Sequence, residues 1–577
     1  MAYHGPDDLE LKDGSRIAVI GSGPAGSFFC YFLLQLGQRM GLKLQVDIYE
    51  PKDFTQPGPR SCNMCGGIVS ESLVQNLAAE GIHLPQAVVQ RSIDSYYLHM
   101  DVGSVRIQTP GQEKRIASVH RGGGPRGIKD VRYLSFDGFL LDLAVKQGAH
   151  EIKQKVEGVE WNQGRPRLKT AGQPESYDLL VVASGINSFA PKLLESLSGT
   201  YRPPQTTKAY IAEYFLGKET IKTYLGSAMH VFLLDLPRLE FAALIPKGDY
   251  VTLCLLGRDI DKPLVDSFLS SSKVKECLPP NWEAPDDFCH CSPRLNIQGA
   301  VQPFGDRIVF IGDAGVTRLY KDGIGAAFRT AKAAARTAVL HGVASGDFRK
   351  HYWPACRSIA RDNAIGKLVF FFSSLIKKLP FTRRGVWRMV SHEQRTGGAN
   401  HGMSSVMWDT FTGSAPYQDV FLRTLHPAFL GRFLWEILAG AWPRSLSRKK
   451  RREVMISGVL GRYYRDGEMI FRQGDAADCM FVVQRGQVEI LRREEDREYC
   501  LAELGEEEFF GEMALFGQEV RDATARAVGD ACVLSVERAS FLRRVHEDPG
   551  LAFRMMEKMA HRVKVLEKAM VRSATAA

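Results

Sequence analysis

Blocks of apolar and polar residues over the first fifty positions predict a strand, a turn, a helix and a second strand. The apolar block Arg16–Ile20 has the length of a buried strand, and a long, largely apolar stretch follows the glycine-rich segment Gly21–Gly26. A second apolar block, Val46–Glu50, ends in an acid. This order predicts a β-α-β unit with parallel strands.

Three glycines in the predicted turn have the spacing Gly-x-Gly-x-x-Gly. Gly21 permits a tight turn, Gly23 lets the backbone approach a pyrophosphate, and Gly26 lets helix and strand pack closely. The N-terminus of the helix would face the phosphates, and Glu50 would accept hydrogen bonds from an adenosine ribose. The dinucleotide-binding residues predicted for this unit are Gly21, Gly23, Pro24, Ala25, Gly26 and Glu50.

A second strand-turn-helix pattern lies in residues 307–340. A buried strand is followed by Gly312 and Asp313, and Gly323 and Gly325 open an alanine-rich helix. The segment resembles the Gly-Asp motif of FAD enzymes with the hydroxybenzoate-hydroxylase-like fold. The segment Tyr177–Ser188 resembles the third signature of that family, with serine where an aspartate is usual; read alone, it is one more buried strand and turn. The resemblance implies bound FAD, with Asp313 near a polyol hydroxyl and the start of the helix at the flavin ring or the pyrophosphate.

The cysteine-containing segment Pro59–Ser70 points to a narrower family. Cys65, Gly66 and Gly67 match a Cys-Gly-Gly-like stretch of the geranylgeranyl reductase family, which this sequence resembles over roughly residues 15–345. The segments Phe241–Asp249 and Ser135–Ala144 are also similar to stretches of that family. The resemblance implies hydride transfer from reduced flavin to a C=C bond of an isoprenoid or similar lipid. Cys65 would lie near the isoalloxazine, while Gly66 and Gly67 would let the backbone pass close to it.

Other interpretations of Cys62 and Cys65 remain open at the level of sequence. They could form a redox dithiol, share a zinc site with Cys289-His290-Cys291, or be small residues in a turn. We expect no resident metal ion. Two other functions also remain open: an FAD monooxygenase of the same fold, and a flavin redox sensor without turnover.

Residues 346–453 combine helical apolar periodicity, many aromatic residues and flanking cations. This composition suits helices in a membrane interface, a lipid-accommodating tunnel, or core helices packed on the flavin domain. The segment Met407–Tyr417 contains several turn-forming residues and is predicted to be a loop. The basic run Arg448–Arg452 is predicted to be a solvated linker, with attraction to anionic lipid as the alternative.

Short alternating blocks separated by glycine and aspartate turns predict a β jelly roll from about residue 455. The segment Phe509–Ala527 resembles the phosphate-binding cassette of cyclic-nucleotide-binding domains. The resemblance implies backbone amides after Gly511 for the cyclic phosphate, a charged fork from Arg521 and an acceptor for the ribose in Glu512; Thr524 completes the predicted site. Cyclic AMP or cyclic GMP is therefore an expected effector.

Two substitutions depart from the cassette pattern. Val520 stands where proline is common, and Asp522 follows Arg521 where a small or hydroxyl residue is usual, so the acid could repel the phosphate or engage the arginine. An amphipathic pattern from Leu551 to Met570 predicts a final helix that forms a lid, a homodimer seam or ordinary packing. Because the helix-turn-helix of related transcription factors is missing after it, we expect no DNA binding.

Length and composition set the remaining expectations. The 577 residues, 45% hydrophobic and 24% charged, allow an FAD domain at 1–345, a helical region at 346–453 and a nucleotide-binding-like domain at 454–577. Within 1–345, we expect FAD-binding segments at about 15–60, 130–190 and 300–345 and substrate-domain segments at about 61–129 and 191–299. Eleven cysteines and no signal-peptide pattern suit the cytoplasm. The +10 formal charge suits nucleic acid, the anionic inner face of a membrane, or no specific partner. With no second dinucleotide fold, the electron donor would be NAD(P)H bound transiently or a reduced carrier. The predicted class is an α/β Rossmann-like FAD domain with an antiparallel substrate sheet, followed by a β barrel.

Overall fold

The computed structural model describes residues 9–109, 113–128, 135–188, 200–396, 402–439, 459–494, 497–516 and 520–538, with scattered residues between 541 and 563. The chain forms two compact units. The first contains Met1–Leu73, Gln86–Thr109 and Ile116–Gly458, and the second contains Val74–Pro85, Pro110–Arg115 and Val459–Ala577.

The strands of the first unit are short and numerous. In chain order they are β1 (Arg16–Ile20), β2 (Gln45–Tyr49), β3 (Ile68–Val69), β4 (Val89–Ile93), β5 (Ser95–Met100), β6 (Gly103–Gln108), β7 (Ile116–Val119), β8 (His150–Ile152), β9 (Gly158–Asn162), β10 (Arg165–Lys169), β11 (Glu175–Ser176), β12 (Leu179–Val182), β13 (Gln205–Lys208), β14 (Tyr210–Phe215), β15 (Ala228–Phe232), β16 (Leu239–Lys247), β17 (Tyr250–Gly257), β18 (Cys289–Cys291), β19 (Arg294–Gln298), β20 (Phe304–Gly305) and β21 (Ile308–Phe310).

Helices follow the first strand and dominate after residue 323. They are α1 (Pro24–Arg39), α2 (Glu71–Ala79), α3 (Phe136–Lys146), α4 (Lys218–Tyr224), α5 (Lys262–Ser270), α6 (Ser272–Lys275), α7 (Gly323–Leu340), α8 (Ser345–Asp347), α9 (Trp353–Lys378), α10 (Pro380–Thr396), α11 (Gly402–Thr412), α12 (Tyr417–Thr424) and α13 (Pro427–Ala439). A 3-10 turn spans Gly312–Ala314, and a π-helical turn, Phe348–Tyr352, precedes α9.

A six-stranded sheet with the order β20-β21-β12-β1-β2-β8 forms the centre of the predicted FAD domain. All its pairs are parallel except β20 with β21. Its strands come from the three segments predicted to build that domain. Helices α1 and α7 pack against each other, with Phe328 edge-on to Phe28 and Phe32. The β-α-β unit predicted from the N-terminal pattern is confirmed.

A seven-stranded sheet has the order β18-β14-β17-β16-β15-β5-β6 and is antiparallel except for the pair β15–β5. Its two faces bury separate cores. One core contains Tyr96, Phe241 and residues of α9 to α12, and the other contains Phe232 and residues of α5 and its following loop. Alternation of side chains along each strand separates the two sets.

The helical prediction for residues 346–453 is confirmed where the structure describes them, but the predicted loop at Met407–Tyr417 is wrong in part. Helix α11 continues through Thr412, and the turn is confined to residues 413–416 before α12 begins. Val406, Trp408 and Phe411 are buried, and burial of this apolar face outweighs the weak helix propensity of the threonines.

The second unit contains an antiparallel sheet built from β22 (Arg462–Tyr464), β23 (Met469–Phe471), β24 (Cys479–Glu494), β25 (Arg497–Leu504), β26 (Phe509–Phe510) and β27 (Thr524–Glu537). Its core contains Val483, Val488, Phe510 and Val533. Gly486 does not end β24: the strand continues through a shift in register. The predicted fold class, a Rossmann-like domain with an antiparallel second sheet, a helical region and a β barrel, is confirmed.

Some predicted features lie outside the described residues. They include the basic run Arg448–Arg452 and, in the final helix, Leu551, Leu566 and Met570. Met555 of that helix is buried and Val563 is exposed. Among the described residues, no helix is both long enough and apolar enough to span a bilayer.

Candidate functional site

The glycine turn after β1 is as tight as its spacing predicts. Gly21 has a φ of +101°, and a Cβ on Gly26 would lie 1.9 Å from the carbonyl oxygen of Gly21. Any larger residue at 26 would separate the start of α1 from β1. The glycine at this position therefore holds the helix N-terminus against the end of the strand.

The start of α1 fits a bound pyrophosphate. Gly23 is the N-cap, and no side chain caps the helix, so its first amides have no side-chain acceptor. A Cβ on Gly23 would find no atom closer than the Asp137 carboxylate oxygen, at 4.0 Å. An open cradle with uncapped amides is the arrangement that binds phosphate groups at helix N-termini.

Glu50 follows β2 and is buried beside this turn. Its Oε2 accepts a hydrogen bond from the Ser22 amide at 3.1 Å, and its Oε1 accepts one from the Lys52 amide at 3.1 Å. Burial raises the pKa of Glu50, although both hydrogen bonds oppose the rise. The carboxylate therefore links the glycine turn to the end of β2, where an acid that contacts an adenosine ribose is expected.

The Gly-Asp motif lies directly against the glycine turn. A Cβ on Gly312, whose φ is +60°, would lie 2.7 Å from the Cβ of Ala25. Burial raises the pKa of the adjacent Asp313, while the Thr317 hydroxyl and Arg121 act in the opposite direction. Two segments almost 300 residues apart in sequence thus meet, as expected for two parts of one cofactor site.

Ser184, which replaces the usual aspartate of the third signature, lies next to the same turn. A Cβ on Gly21 would lie 2.9 Å from the Cα of Ser184. Its hydroxyl oxygen is buried and has no hydrogen-bond partner among the described residues. An unsatisfied buried hydroxyl costs free energy, so a ligand that supplied a partner would be favoured here.

A charged network that the sequence did not reveal connects the cysteine segment to the FAD motifs. Arg121 binds the buried carboxylate of Asp137 through Nε at 2.7 Å and Nη2 at 3.0 Å, and Asn63 donates to the same carboxylate at 2.9 Å. Burial opposes the charge on Arg121, but its interactions with Asp137 raise its pKa overall, and Cys65 and Asp313 act in the same direction. Arg121 thus brings Cys65 and Asp313 into one electrostatic environment.

The Cys-Gly-Gly segment packs closely against β7 and β17. A Cβ on Gly67 would lie 2.1 Å from the Val119 carbonyl oxygen, and one on Gly66 would lie 2.7 Å from the Cys254 sulfur. The structure therefore requires both glycines for protein packing. Cys65 is half-buried beside them and stays a predicted catalytic residue.

The alternative of a zinc site formed by Cys62, Cys65 and the Cys289-His290-Cys291 segment is not supported. Within the described ranges, these residues do not form a group with ligand atoms close enough to share an ion. All cysteines of the described chain are free thiols, and the Cys62 sulfur accepts a hydrogen bond from the Met64 amide at 3.2 Å.

Helix α7 begins at Gly323, as predicted, but a side chain of the protein lies at its start. The Asp322 carboxylate accepts a hydrogen bond from the Ser70 hydroxyl at 2.5 Å, and a Cβ on Gly325 would lie 2.2 Å from it. Burial raises the pKa of Asp322, and Arg329 and Arg318 oppose the rise. Gly325 is thus required to admit this carboxylate, and cofactor contact by Gly323 and Gly325 stays a prediction.

Lys321 is a second functional candidate that the sequence did not reveal. Its ammonium group lies 4.1 Å from the ring centroid of Phe241 and 5.6 Å from that of Phe411. Although the residue keeps some exposed surface, burial lowers the pKa of Lys321 to about 7, and only the nearby Cys254 opposes this shift. A lysine with such a pKa can exchange protons at neutral pH.

The predicted nucleotide site in the second unit contains a buried arginine, Arg521, that contacts other residues of the protein. Arg521 is buried, with its guanidinium 4.4 Å from the ring centroid of Phe471 and Nη1 donating to the Gly511 carbonyl at 3.2 Å. Its Nε is buried without a hydrogen-bond partner in the described chain. A phosphate next to Gly511 could satisfy this donor.

Four other residues of the predicted cassette lie close to Arg521 in the sequence. Glu512 begins a 3-10 turn, and Thr524 accepts a hydrogen bond from the Gln473 amide at 3.0 Å. Asp522 and Val520 are exposed. The arginine side chain donates to the Gly511 carbonyl and the Cys479 sulfur, so the expectation that Asp522 engages it is not met.

Comparison with protein families assigns the fold of this C-terminal module. Residues 461–548 match the family model described as cyclic nucleotide-binding domain. The chain is 32% identical over 113 residues to the type II regulatory subunit of cAMP-dependent protein kinase of Drosophila melanogaster, and 35% identical over 113 residues to the cyclic AMP receptor protein of Thermus thermophilus. These matches cover 19% of this chain and 30% and 52% of the relatives. The predicted cyclic-nucleotide-binding domain is confirmed.

Solved structures resemble the chain at low sequence identity. A geranylgeranyl bacteriochlorophyll reductase-like protein from Thermoplasma acidophilum is 14% identical, with 63% of this chain and 88% of that one covered and a TM-score of 0.49. The halogenase PltM in complex with FAD is 14% identical, with 74% and 91% covered and a TM-score of 0.48. Similarity at this level assigns no activity to the chain.

Proposed function

We propose that the first unit is an FAD-dependent oxidoreductase that reduces a C=C bond of an isoprenoid or similar lipid. One observation supports the proposal: an uncapped glycine cradle occurs in the same unit as Lys321, a lysine beside two aromatic rings whose pKa burial lowers to about 7. The cradle, Glu50 and the Gly-Asp motif would hold the dinucleotide. When bound and reduced, FAD would supply a hydride.

Lys321 would supply the proton that completes the reduction. One carbon of the double bond accepts the hydride, and the other accepts the proton from the lysine Nζ, which becomes a neutral amine. The Phe241 and Phe411 rings next to Nζ favour an apolar substrate at this position. Cys65 is the alternative proton donor, and the electron donor would be NAD(P)H or a reduced electron carrier.

The proposal is tested by anaerobic single-turnover spectroscopy. The purified full chain would be loaded with FAD, reduced by dithionite and mixed with geranylgeranyl lipids, and flavin reoxidation would be followed together with the saturated product. Reoxidation with formation of that product supports the reductase. No reoxidation by any prenyl lipid would contradict it, and product formed only with oxygen would favour a flavin monooxygenase.

The second unit would bind cyclic AMP or cyclic GMP as an effector. The buried and unsatisfied Nε of Arg521, next to Gly511, supports a phosphate at this position. Calorimetry of the full chain with each nucleotide tests the proposal, and absence of heat with both would contradict it. A nucleotide changes turnover only if it binds one state of the chain more tightly than another.

The helical region would place the enzyme on a membrane surface. Helix α13 buries none of its residues, although most of them are apolar, and Trp435 and Leu438 are 68% and 73% exposed. Phe371 on α9 is 64% exposed, and the exposed Lys378 ends that helix. Exposed aromatic residues with neighbouring cations suit the headgroup boundary of a bilayer, where a lipid substrate is available.

A further inference from the structure

The face of the seven-stranded sheet away from Phe241 contains a compact cluster of two histidines and a cysteine. His99 lies on β5, His230 lies on the neighbouring β15, and Cys277 follows α6. All three residues are buried. Their Nε2, Nδ1 and Sγ atoms lie within 4.8 Å of one another, and this is the one such group of potential metal ligands in the described part of the chain.

Strand register explains how the two imidazoles come together. In the parallel pair β5–β15, Phe232 is opposite His99 and His230 is opposite Tyr97. Because alternate residues share a face, these four rings form one stacked row, with centroid separations of 4.7 Å for His99–Phe232 and 5.1 Å for His99–His230. The imidazoles are therefore fixed by packing on both sides.

The distances among the three atoms fit a shared ion with a small adjustment. His99 Nε2 lies 2.9 Å from His230 Nδ1, and the Cys277 sulfur lies 3.6 Å and 3.4 Å from these nitrogens. Tetrahedral zinc, with bonds of about 2.1 Å to nitrogen and 2.3 Å to sulfur, separates two nitrogens by about 3.4 Å and nitrogen from sulfur by about 3.6 Å. The two nitrogens would need to move apart by about 0.5 Å.

The outer nitrogen atoms are oriented as in metal sites. His230 Nε2 lies 3.1 Å from the Leu225 carbonyl oxygen, which can only accept, so this nitrogen carries the proton and Nδ1 presents a lone pair. His99 Nδ1 lies 2.8 Å from the Ser104 hydroxyl, which can accept a proton from it. Imidazoles that bind metals usually donate their other N–H to such a carbonyl or hydroxyl oxygen.

Both imidazoles are held in the neutral form that can bind a metal ion. Burial, together with the nearby His230, lowers the pKa of His99 to about 2, and burial lowers the pKa of His230 to about 4. Both rings are therefore neutral near pH 7. Burial raises the pKa of Cys277 to about 12, so its thiol would lose a proton only when an ion binds the sulfur.

We propose that His99, His230 and Cys277 bind a single thiophilic cation, zinc or copper(I), that fastens the segment after α6 to the sheet. Imidazole nitrogen and thiolate sulfur together suit these ions, in contrast to calcium or magnesium. Binding forms two metal–nitrogen bonds and one metal–sulfur bond, and the thiol proton goes to solvent. The Nε2 proton of His99 moves to Nδ1, where it is donated to Ser104.

Metal content and spectra of the full chain test the site. We expect about one equivalent of zinc after expression with added zinc, and a sulfur-to-cobalt charge-transfer band when the chelated protein takes up Co²⁺. Copper(I), added anaerobically, is the second arm and would be taken up in competition with zinc. Each ion should release close to one proton per chain and raise the melting temperature by a few degrees.

Variants separate this cluster from the other cysteines. Cys277→Ser should lose the stoichiometric ion and the charge-transfer band, whereas Cys532→Ser, at a buried cysteine of the second unit, should keep both. His230→Gln provides a second removal if the serine variant folds poorly, with circular dichroism as the check. Equal metal content in wild type and in a folded Cys277→Ser chain would overturn the proposal. So would a folded, metal-free chain that takes up neither cobalt nor copper(I).

Discussion

Lys321 shows how one residue acquires chemistry from its surroundings. Burial next to Phe241 and Phe411, together with the positive charge of the nearby Arg318, lowers its pKa to about 7, although Cys254 opposes the shift. At pH 6 the residue is mostly protonated, and above pH 8 it is mostly neutral. A proton-donating role therefore requires turnover to fall as the pH rises through about 7.

Replacement of this lysine tests the role. Lys321→Met should lower the rate of C=C reduction by about 10²- to 10⁴-fold and abolish the decrease near pH 7, because water becomes the proton source. Lys321→Arg keeps the positive charge but cannot release a proton, so it should be as slow as the methionine variant. Stopped-flow rates across pH 5–9 provide the measurement.

A matched control uses an exposed lysine of the same unit. Lys350→Met should leave both the rate and its pH dependence unchanged. If Lys321→Met keeps the wild-type profile while Cys65→Ala loses it, the proton comes from the cysteine instead.

Arg521 permits a prediction on nucleotide affinity. Arg521→Lys keeps a cation but loses the planar fork, so affinity of the full chain for the preferred cyclic nucleotide should fall about 10- to 100-fold in calorimetry. Arg526→Lys is the control, because Arg526 pairs with Glu489 at the surface. Equal affinity of the wild-type and Arg521→Lys chains would argue against phosphate contact by this residue.

At the residue scale, the sequence predicts functional residues that belong to a motif of fixed spacing. It does not predict residues whose role depends on neighbours brought close by the fold. Gly21, Gly26 and Glu50 could be predicted because a tight turn and a strand end fix their neighbours in the chain. The roles of Lys321 and Arg121 depend on Phe411, Asp137 and Asp313, which are distant in sequence. The pairing of His99 with His230 needs the register of two strands more than 120 residues apart, which one sequence does not state.

At the element scale, the exposed helices lead to a membrane prediction. A chain with Phe371→Ser, Trp435→Ser and Leu438→Ser should lose most of its binding to vesicles of phosphatidylcholine and phosphatidylglycerol, because each change removes exposed apolar surface. Flotation on a density gradient measures the bound fraction.

The control for this experiment is Phe215→Ser. Phe215 is 64% exposed, like Phe371, but lies on β14 of the seven-stranded sheet. This variant should float as the wild type does. Wild-type protein that stays at the bottom of the gradient with anionic vesicles would end the membrane proposal.

Helices can be predicted from the sequence where the local helix signals agree with the contacts that the helix makes to other elements. The glycines at the N-terminal ends of α1 and α7 and the apolar periodicity of these helices agree, so both helices are predictable, and α7 begins at the predicted Gly323. In Met407–Tyr417 local and distant forces disagree, because its threonines and Gly413 are typical of turns. Buried Trp408 and Phe411, held by contacts with other elements, extend α11 to Thr412.

At the scale of the whole molecule, the second unit is not one continuous stretch of sequence, since it includes Val74–Pro85 and Pro110–Arg115. Within this unit the buried Glu113 accepts hydrogen bonds from the Ser535 amide at 2.6 Å and from its hydroxyl at 2.7 Å. Arg115 pairs with Glu113 at 2.9 Å and with Glu537 at 3.1 Å. Residues from the first half of the chain thus form hydrogen bonds and an ion pair with β27, the last strand that the structure describes.

A substitution at this network tests its contribution. Glu113→Ala would leave the buried Ser535 amide without its acceptor, which costs about 1–3 kcal/mol. Amide hydrogen exchange of β27 should therefore accelerate about tenfold or more in the full chain. Glu498→Ala, at an exposed position of β25, should leave the exchange of Ser535 unchanged. Unchanged protection in Glu113→Ala would show that the network adds nothing to the strand.

Because the second unit is built from separate stretches of the chain, fragments of the protein have to be designed with care. An expression clone that starts at Val459 would encode the barrel without Glu113 and Arg115. A clone that stops at Gly458 would keep these two residues but lose their partners Ser535 and Glu537. Neither fragment would represent the intact polypeptide. Weak nucleotide affinity in the isolated barrel would follow from the loss of Glu113 and Arg115 as readily as from a barrel that does not bind nucleotides.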